Sequence, residues 1–338
     1  MLFVLRRLIL GILLIIACAV ILLLLDLNHR NSAAVAKQRK WKVTLIEFVQ
    51  VLDVEECEKG LFQGLNDSKL IKGRDFDLEI MNAQGDMPTV SSLIDAAVTN
   101  GSDLIITMST PTLQAAIKRA GRTPVVFTYV ADAVAAGAAK SDTDHLPNVT
   151  GVYFQAAFED MLKIMKQTLP DLHSVGGLYV PAETNMVFYK GKMDAAAQKA
   201  GINFVWLPVN TSTDVPDATL ALCSQKIDAI CQVPGNLLAA SFPSLVAPAN
   251  QARIPIFAFQ TSQVYNGAVM ALGRDYFDAG HQTAEIAARV IRGESPGKIP
   301  LINFSKTKVI LNYKAAKNLN LKFPQSLIQQ AKETIGEP

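Results

Sequence analysis

The sequence predicts an α/β protein with two doubly wound, mainly parallel sheet lobes that follow one N-terminal transmembrane helix. Three observations carry this prediction. Residues 8–25 contain no charged side chain, in a chain of which 18% of the residues are charged. Beyond residue 40, short β-branched runs alternate with longer segments of helical period. This alternation restarts after residue 147, which indicates two units of similar plan.

The N-terminal segment 8–25 (LILGILLIIACAVILLLL) is long enough, as a helix, to cover nearly all of the ~30 Å hydrocarbon core of a membrane. Three fates are open for it. An uncleaved signal anchor fits its length best. A lipoprotein comes second, because residues 15–18 (IIAC) resemble a lipobox. Cleavage after the small residues 32–34 comes third. Residues 28–40 are polar, as in a tether.

The first unit alternates strand and helix in regular order. Its predicted strands are 42–49, 76–81, 103–107 and 124–128, and its predicted helices are 54–68, 90–99 and 112–119. Strands that are joined by helices lie parallel, and the connections are right-handed. We therefore expect helices on both faces of one sheet.

The second unit repeats this plan with more elements. Its predicted helices are 158–168, 186–200 and 237–251, and its predicted strands are 175–180, 203–209, 227–232 and 255–259. Residues 267–292 add one strand and an amphipathic helix, and residues 309–312 form a last short strand. The two units together predict two separate cores.

Polar and aromatic residues recur where the predicted strands end. In open α/β sheets, ligands bind beyond the carboxyl ends of the strands, and two such edges that face each other form a cleft. Ser109 and Thr110 precede Pro111 at a helix start, where free N–H groups either bind an anion or are capped in the ordinary way. The candidate ligand-binding residues are Phe48, Ser109, Thr110, Tyr129, Asp132, Glu183, Asn185, Asn236 and Gln260.

Several other functions find no support in the sequence. The net charge is +2 and no long Lys/Arg run occurs, so a nucleic-acid partner is not expected. The cysteines and histidines have no metal-ligand spacing, and we predict neither metal nor cofactor. No nucleophile elbow, phosphate-binding loop or catalytic triad is present, so we predict no enzyme. Cys57, Cys223 and Cys231 are predicted to be free thiols, and a Cys223–Cys231 bridge stays open as the alternative.

Several segments, taken in order, share their motifs with one known family. They are 103–137 (DLIITMSTPTLQAAIKRAGRTPVVFTYVADAVAAG), 148–152 (NVTGV), 181–185 (PAETN), 267–280 (GAVMALGRDYFDAG), 293–296 (GESP) and 312–319 (NYKAAKNL). This chain resembles the ABC-transporter substrate-binding family that includes tryptophan- and tyrosine-binding proteins. The resemblance runs from about residue 41 to residue 324, nearly the whole part after the tether.

The resemblance implies a type I periplasmic-binding-protein fold, with two lobes joined by three crossings that close over a small solute. We assign residues 1–40 to the anchor and tether, 41–153 and 262–304 to the first lobe, and 154–261 and 305–338 to the second. The resemblance also implies an extracytoplasmic location. By the positive-inside rule, the basic residues around the apolar segment slightly favour a cytoplasmic C-terminal part, and we give the resemblance precedence over that rule.

Some candidate site residues of this chain match the family's motifs, and other positions differ from them. Ser109 and Thr110 match the family's Thr-Pro helix start, and Asp132, Glu183 and Asn185 match its other polar positions. Two positions where the family commonly has Asp are Gly235 and Gln260 here, and Ala133 replaces a Pro. The loss of two carboxylates favours a less cationic ligand.

These observations predict an extracytoplasmic solute-binding component of an ABC transporter. Its ligand would be a small amino-acid-like or other polar solute bound in the cleft between the lobes. Its partners would be an ABC permease with its ATPase, and the membrane through the N-terminal segment. The rival is a membrane-anchored ligand-sensing protein on the same fold without transport coupling, since one fold hosts unrelated functions.

Overall fold

The computed structural model describes residues 19–20 and 40–337. Most of the predicted transmembrane segment 8–25, with Cys18, therefore lies outside the described residues. Among the residues that are described, no helix combines the length and the apolar character needed to cross a membrane. Residues 41–337 are described below by themselves.

The elements after residue 40 alternate along the chain much as predicted. The strands are β1 (Trp41–Glu47), β2 (Phe76–Asn82), β3 (Leu104–Met108), β4 (Val125–Val130), β5 (Val149–Tyr153), β6 (Ser174–Tyr179), β7 (Asn203–Pro208), β8 (Ala229–Gln232), β9 (Ile256–Ala258), β10 (Met270–Arg274), β11 (Ile302–Asn303), β12 (Thr307–Asn312) and β13 (Ala331–Ile335). The helices are α1 (Leu52–Asp67), α2 (Met87–Thr99), α3 (Thr110–Arg119), α4 (Phe158–Thr168), α5 (Thr184–Ala200), α6 (Val215–Cys223), α7 (Asn236–Ala240), α8 (Phe242–Gln251), α9 (Tyr276–Ile291), α10 (Tyr313–Asn318) and α11 (Gln325–Gln330). Short 3₁₀ turns occupy Ser212–Asp214, Thr261–Val264 and Pro296–Lys298.

The strands form two sheets, which confirms the predicted pair of α/β lobes. The first sheet has the order β2-β1-β3-β4-β5-β11, and its strands are all parallel. The second sheet has the order β7-β6-β8-β9-β10-β12-β13, in which only the β10–β12 pair is antiparallel. The first five strands of the two sheets follow the same order, so the repeat seen in the sequence is a repeat of topology.

Helices cover both faces of the first sheet. Helices α1 and α9 pack on one face over a core that includes Leu45 and Ile106, while α2 and α3 pack on the other over Ile46 and Ile105. Consecutive residues of β1 and β3 thus point into different cores, which is why these strands read as unbroken apolar runs. Every residue of β3 is buried.

Helices α1 and α9 pack so closely that two of their contact positions, both glycines, have no room for a side chain. A Cβ atom on Gly60 of α1 would lie 1.9 Å from the carbonyl oxygen of Phe277 in α9. A Cβ atom on Gly280 of α9 would lie 1.9 Å from the carbonyl oxygen of Cys57 in α1. The sequence separation of these helices exceeds 200 residues, so this contact ties the late segment of the chain to the first lobe.

Two predictions of the element pattern are wrong. Residues 262–274 were assigned to the first lobe, but β10 pairs with β9 and β12 in the second sheet. The chain therefore returns to the first lobe after Arg274 and not before residue 262. The single predicted helix 237–251 is two helices, α7 and α8, with a break at Ser241 just before Phe242 and Pro243. Proline has no N–H to donate, so it suits the first turn of a new helix and not a helix interior.

The chain passes between the sheets three times. The passages follow β5, β10 and β11, so the segment 148–152, which resembles a crossing, is itself mostly strand β5 of the first sheet. The three cysteines among the described residues, Cys57, Cys223 and Cys231, are free thiols, as predicted. The alternative Cys223–Cys231 bridge is not formed.

Candidate ligand-binding site

A cavity lies where the carboxyl ends of strands from both sheets face each other. It contains about 590 Å³ of empty space when the open solvent at its mouth is included. The first lobe contributes residues that follow β1 and β3, residues at or just beyond the ends of β4 and β5, and one residue of α9. The second contributes residues of α5, which follows β6, residues that follow β8 and β9, and residues at the end of β10. The site thus lies at the place in the fold where the sequence predicted a cleft.

Aromatic rings form one wall of the cavity. The rings of Tyr129, Phe154 and Tyr276 contact one another, with centroids 5.2 to 5.8 Å apart. Strand β4 shifts register between Phe127 and Val130, and Tyr129 there adopts a φ of +57°. Burial raises the pKa of the Tyr129 and Tyr276 hydroxyls well above the ordinary value, so both are neutral. This wall presents aromatic surface on which an apolar or aromatic ligand can pack.

Hydrogen bonds join the two lobes around the cavity. Gln260, just after β9, donates from Nε2 to the Tyr129 hydroxyl of the first lobe at 2.8 Å. Asp53, in the first turn of α1, accepts from Thr261 Oγ1 at 2.7 Å, from Ser262 N at 3.1 Å and from Ser262 Oγ at 2.5 Å. Asp53 is 1% exposed. These bonds cross the cleft, so the lobes are closed over the cavity.

Two asparagines of the second lobe reach the cavity and are held by a carboxylate behind them. Glu183 accepts from the backbone N–H groups of Asn236 and Leu237 at 2.8 and 2.9 Å, and from the side-chain amides of Asn236 and Asn185 at 3.0 and 3.2 Å. Asn185 and Asn236 line the cavity, whereas Glu183 does not. The Asn185 Oδ1 atom is buried and has no hydrogen-bond partner among the described residues. Glu183 thus positions the asparagines, and Asn185 keeps a vacant acceptor.

The predicted anion-binding residues lie at a sharp turn. Strand β3 ends at Met108 and α3 begins at Thr110, so Ser109 alone makes the connection, with a φ of +108°. This backbone region costs a serine on the order of 1–3 kcal/mol, and such strain often occurs at functional sites. The Ser109 hydroxyl does not cap the helix and lies 3.4 Å from Thr112 Oγ1. Of the predicted pair, only Thr110 lines the cavity.

Two other predicted residues lie away from the cavity wall. Phe48 is 6% exposed and packs in the core between the first sheet and helices α2 and α3. Asp132 accepts from Ala135 N at 2.8 Å and from Gln155 Nε2 at 2.7 Å, so it positions the chain near the first crossing. The structure therefore brings five of the nine predicted residues to the cavity wall. They are Thr110, Tyr129, Asn185, Asn236 and Gln260.

Arg274 is a lining residue that the sequence reasoning missed. It ends β10, and its guanidinium donates from Nε to the Gln155 carbonyl at 2.8 Å. Its two terminal nitrogens also donate, to the carbonyls of Gln155 and Ser305. The only available signal in the sequence was a basic residue that directly follows the apolar strand 268–273. Arg274 contacts two of the three crossings between the lobes.

Comparisons with known proteins place these features in a family. A sequence profile of the family described as ABC transporter substrate binding protein matches residues 42–335. A tyrosine-binding protein of Clostridioides difficile is 30% identical over 294 residues, which cover 87% of this chain and 85% of that protein.

Two solved structures of similar sequence identity differ in how well they superpose on this chain. The ABC domain from Streptococcus pneumonia in complex with L-Trp has a TM-score of 0.84 at 26% identity, covering 88% of this chain and all of that one. The ligand-free, open structure of a substrate-binding protein with adhesive properties from Clostridium difficile has a TM-score of 0.69 at 27% identity, with the same coverage. This chain therefore superposes more closely on the L-Trp complex than on that ligand-free, open structure. Profile, relative and fold agree: the chain belongs to the ABC transporter substrate-binding protein family.

Proposed function

We propose that this protein is the extracytoplasmic solute-binding component of an ABC transporter and that it binds a small aromatic or amphipathic solute, an amino acid or a relative of one. The observation that carries the proposal is the cavity between the two lobes, which has an aromatic wall and is closed by hydrogen bonds from lobe to lobe. The similar proteins that bind tyrosine and L-Trp support the ligand class.

The binding cycle follows from the position of the hydrogen bonds. In the open form the cavity wall is divided between the lobes, with Tyr129 on one and Gln260 on the other. A ligand that contacts both lobes favours the closed form by its differential affinity for that form. Closure buries the ligand and gives a permease a distinct surface to recognise. No chemical step is required of the protein.

The ligand can be identified directly. Full-length protein extracted from its native membrane should release a small aromatic or amphipathic compound on denaturation, identified by mass spectrometry. That compound should bind again to the stripped protein in calorimetry. Turnover of the compound in place of simple binding would contradict the proposal.

Thr110 tests the contact between helix α3 and the ligand. Thr110→Ala should weaken binding of the identified compound by about 10- to 150-fold, because a hydrogen bond to a charged ligand group contributes about 1.5–3 kcal/mol. Ser109→Ala tests the second predicted residue, and because Ser109 does not line the cavity we expect a smaller effect on binding. The control is Thr143→Ala, which removes an exposed hydroxyl from a loop. If Thr110→Ala and the control bind alike, the helix start is not part of the site.

Membrane attachment and transport are separate parts of the proposal. An alkaline phosphatase fused to the C-terminus should be active, and Cys18→Ser should remain in the membrane fraction, since the apolar run continues for seven residues beyond Cys18. Deletion of the gene should abolish uptake of the identified compound. Normal uptake with a lost response to the compound would point to a sensor.

A further inference from the structure

The charge of the cavity wall restricts the ligand further than the aromatic wall does. Of the eighteen residues that line the cavity, Arg274 is the only one with a charged side chain. The remaining polar groups on the wall are neutral amides and hydroxyls. The site therefore has a single positive charge and no negative charge on its surface.

The Arg274 guanidinium has no carboxylate within ion-pair distance among the described residues, and the exposed Asp160 attracts it only from beyond that distance. The hydrogen bonds of Arg274 go to backbone carbonyls, which accept N–H groups but carry no net charge. Arg274 forms no ion pair with the residues that the structure describes. Burial lowers its pKa, which shows that the charged form is held at a cost in free energy. A carboxylate in the cavity would offset that cost, and the planar guanidinium is suited to bind one.

Three carboxylates near the cavity, Glu183, Asp53 and Asp132, already accept hydrogen bonds from the protein. Glu183 accepts four hydrogen bonds from protein N–H groups. Asp53 accepts three across the lobes, and Asp132 accepts two near the first crossing. None of the three lines the cavity. An ammonium group on the ligand would thus find no carboxylate on the cavity wall to pair with, and it would add a second positive charge to the site.

We infer that the ligand is an aromatic or similarly apolar carboxylate whose other polar substituent is neutral, such as a 2-hydroxy acid, and not a zwitterionic amino acid. The carboxylate pairs with Arg274. The vacant acceptor of Asn185 receives the hydrogen of a neutral donor such as the hydroxyl group. This inference rests on the proposed function and narrows its ligand class.

Matched pairs of ligands test the inference. Full-length protein stripped of bound compounds is titrated with 4-hydroxyphenyllactate against L-tyrosine, and with indole-3-lactate against L-tryptophan. Each pair differs in one group, a hydroxyl in place of an ammonium. We expect the hydroxy acid of at least one pair to bind about tenfold or more tightly than its amino acid.

Two variants separate the charge from other effects. Arg274→Gln should weaken hydroxy-acid binding about tenfold or more, whereas Arg122→Gln, which changes an exposed arginine, should not. Gln260→Glu places a carboxylate on the cavity wall. It keeps both hydrogen bonds of Gln260, because the Tyr129 hydroxyl can donate in place of accepting and Gln263 donates already. This variant should shift the preference towards the amino acids.

The outcomes distinguish the inference from the proposed function. If neither hydroxy acid binds the parent more tightly than its amino acid, although at least one of the four compounds binds, the inference is wrong and the proposed function stands. If none of the four compounds binds, both the inference and the aromatic ligand class are wrong. If Arg274→Gln does not fold, judged by circular dichroism, Gln260→Glu decides alone. An unchanged preference in Gln260→Glu overturns the charge argument.

Discussion

Removal of the Asp53 carboxylate should destabilise the protein, because this buried group connects the lobes. Asp53→Ala leaves three donors without their acceptor: Thr261 Oγ1, Ser262 N and Ser262 Oγ. The first two are hydrogen-bonded deep in the interface, and Thr261 is 2% exposed. The half-buried Ser262 hydroxyl can turn towards water. Each buried donor that is left without an acceptor lowers the stability by about 1–3 kcal/mol, and rotation of the Thr261 hydroxyl reduces this loss in part. We expect a loss of about 3 kcal/mol.

Asp53→Asn provides the matched comparison. The amide oxygen can accept from Thr261 and from the backbone of Ser262, and the amide nitrogen can donate to the Ser262 hydroxyl. All three contacts survive while the charge is removed. We therefore expect a loss of less than about 1 kcal/mol. Asp171→Ala, at an exposed loop position, controls for the loss of any aspartate.

The difference in stability between Asp53→Asn and the parent should change with pH in a defined direction. Burial raises the pKa of Asp53 above its ordinary value of 3.8, so the ionised form is disfavoured in the folded protein. The ionisation of Asp53 therefore lowers the free energy of unfolding of the parent as the pH rises from 3.8 through the folded-state pKa. Asp53→Asn has no ionisable group at this position, so its free energy of unfolding lacks this decrease. The stability of Asp53→Asn relative to the parent should therefore be greatest at neutral pH and decline as the pH falls towards 3.8.

Urea denaturation followed by circular dichroism measures these differences, with a common slope for all variants. The reasoning is refuted if Asp53→Ala lies within 0.5 kcal/mol of the parent, on the order of a neutral surface change. It is also refuted if Asp53→Asn is as unstable as Asp53→Ala. In that case the negative charge, and not the hydrogen bonds, holds the lobes together.

Three further predictions concern packing and thiol chemistry. Gly60→Ala should lower the free energy of unfolding by about 3 kcal/mol, since its methyl group meets the rigid Phe277 carbonyl. Gly191→Ala, at an open position of α5, should raise it by about 0.5–1 kcal/mol, and denaturation of both variants checks the contrast. Cys223 should react with a thiol reagent faster than Cys57, because complete burial raises the Cys57 pKa to about 12. Mass spectrometry locates the label, and equal labelling of both thiols in the native protein would contradict the burial argument.

The sequence by itself determined most elements of the fold and the sheet edge at which the cavity lies. Hydrophobic periodicity is local, so most strands and helices of both units could be read from it, whereas elements such as β5, β13, α6, α10 and α11 were not predicted. A helix start close to Pro111 was readable because proline suits the first turn of a helix, although α3 begins at Thr110 and the predicted helix began at residue 112. The carboxyl-edge rule then placed Tyr129 and Gln260 near the cavity before their contact was known.

Only the tertiary structure decided which elements pair and which polar groups face the cavity. The apolar strand 270–274 would suit either sheet, and its place beside β9 depends on contacts with distant residues. Glu183 and Asn185 are two residues apart, yet only Asn185 reaches the cavity, because Asn236 and Leu237, more than 50 residues away, occupy the Glu183 carboxylate. The burial of Arg274 depends on crossings 119 and 31 residues away. Such separations leave no periodic trace in the sequence, so the charge of the site becomes visible only when the chain is folded.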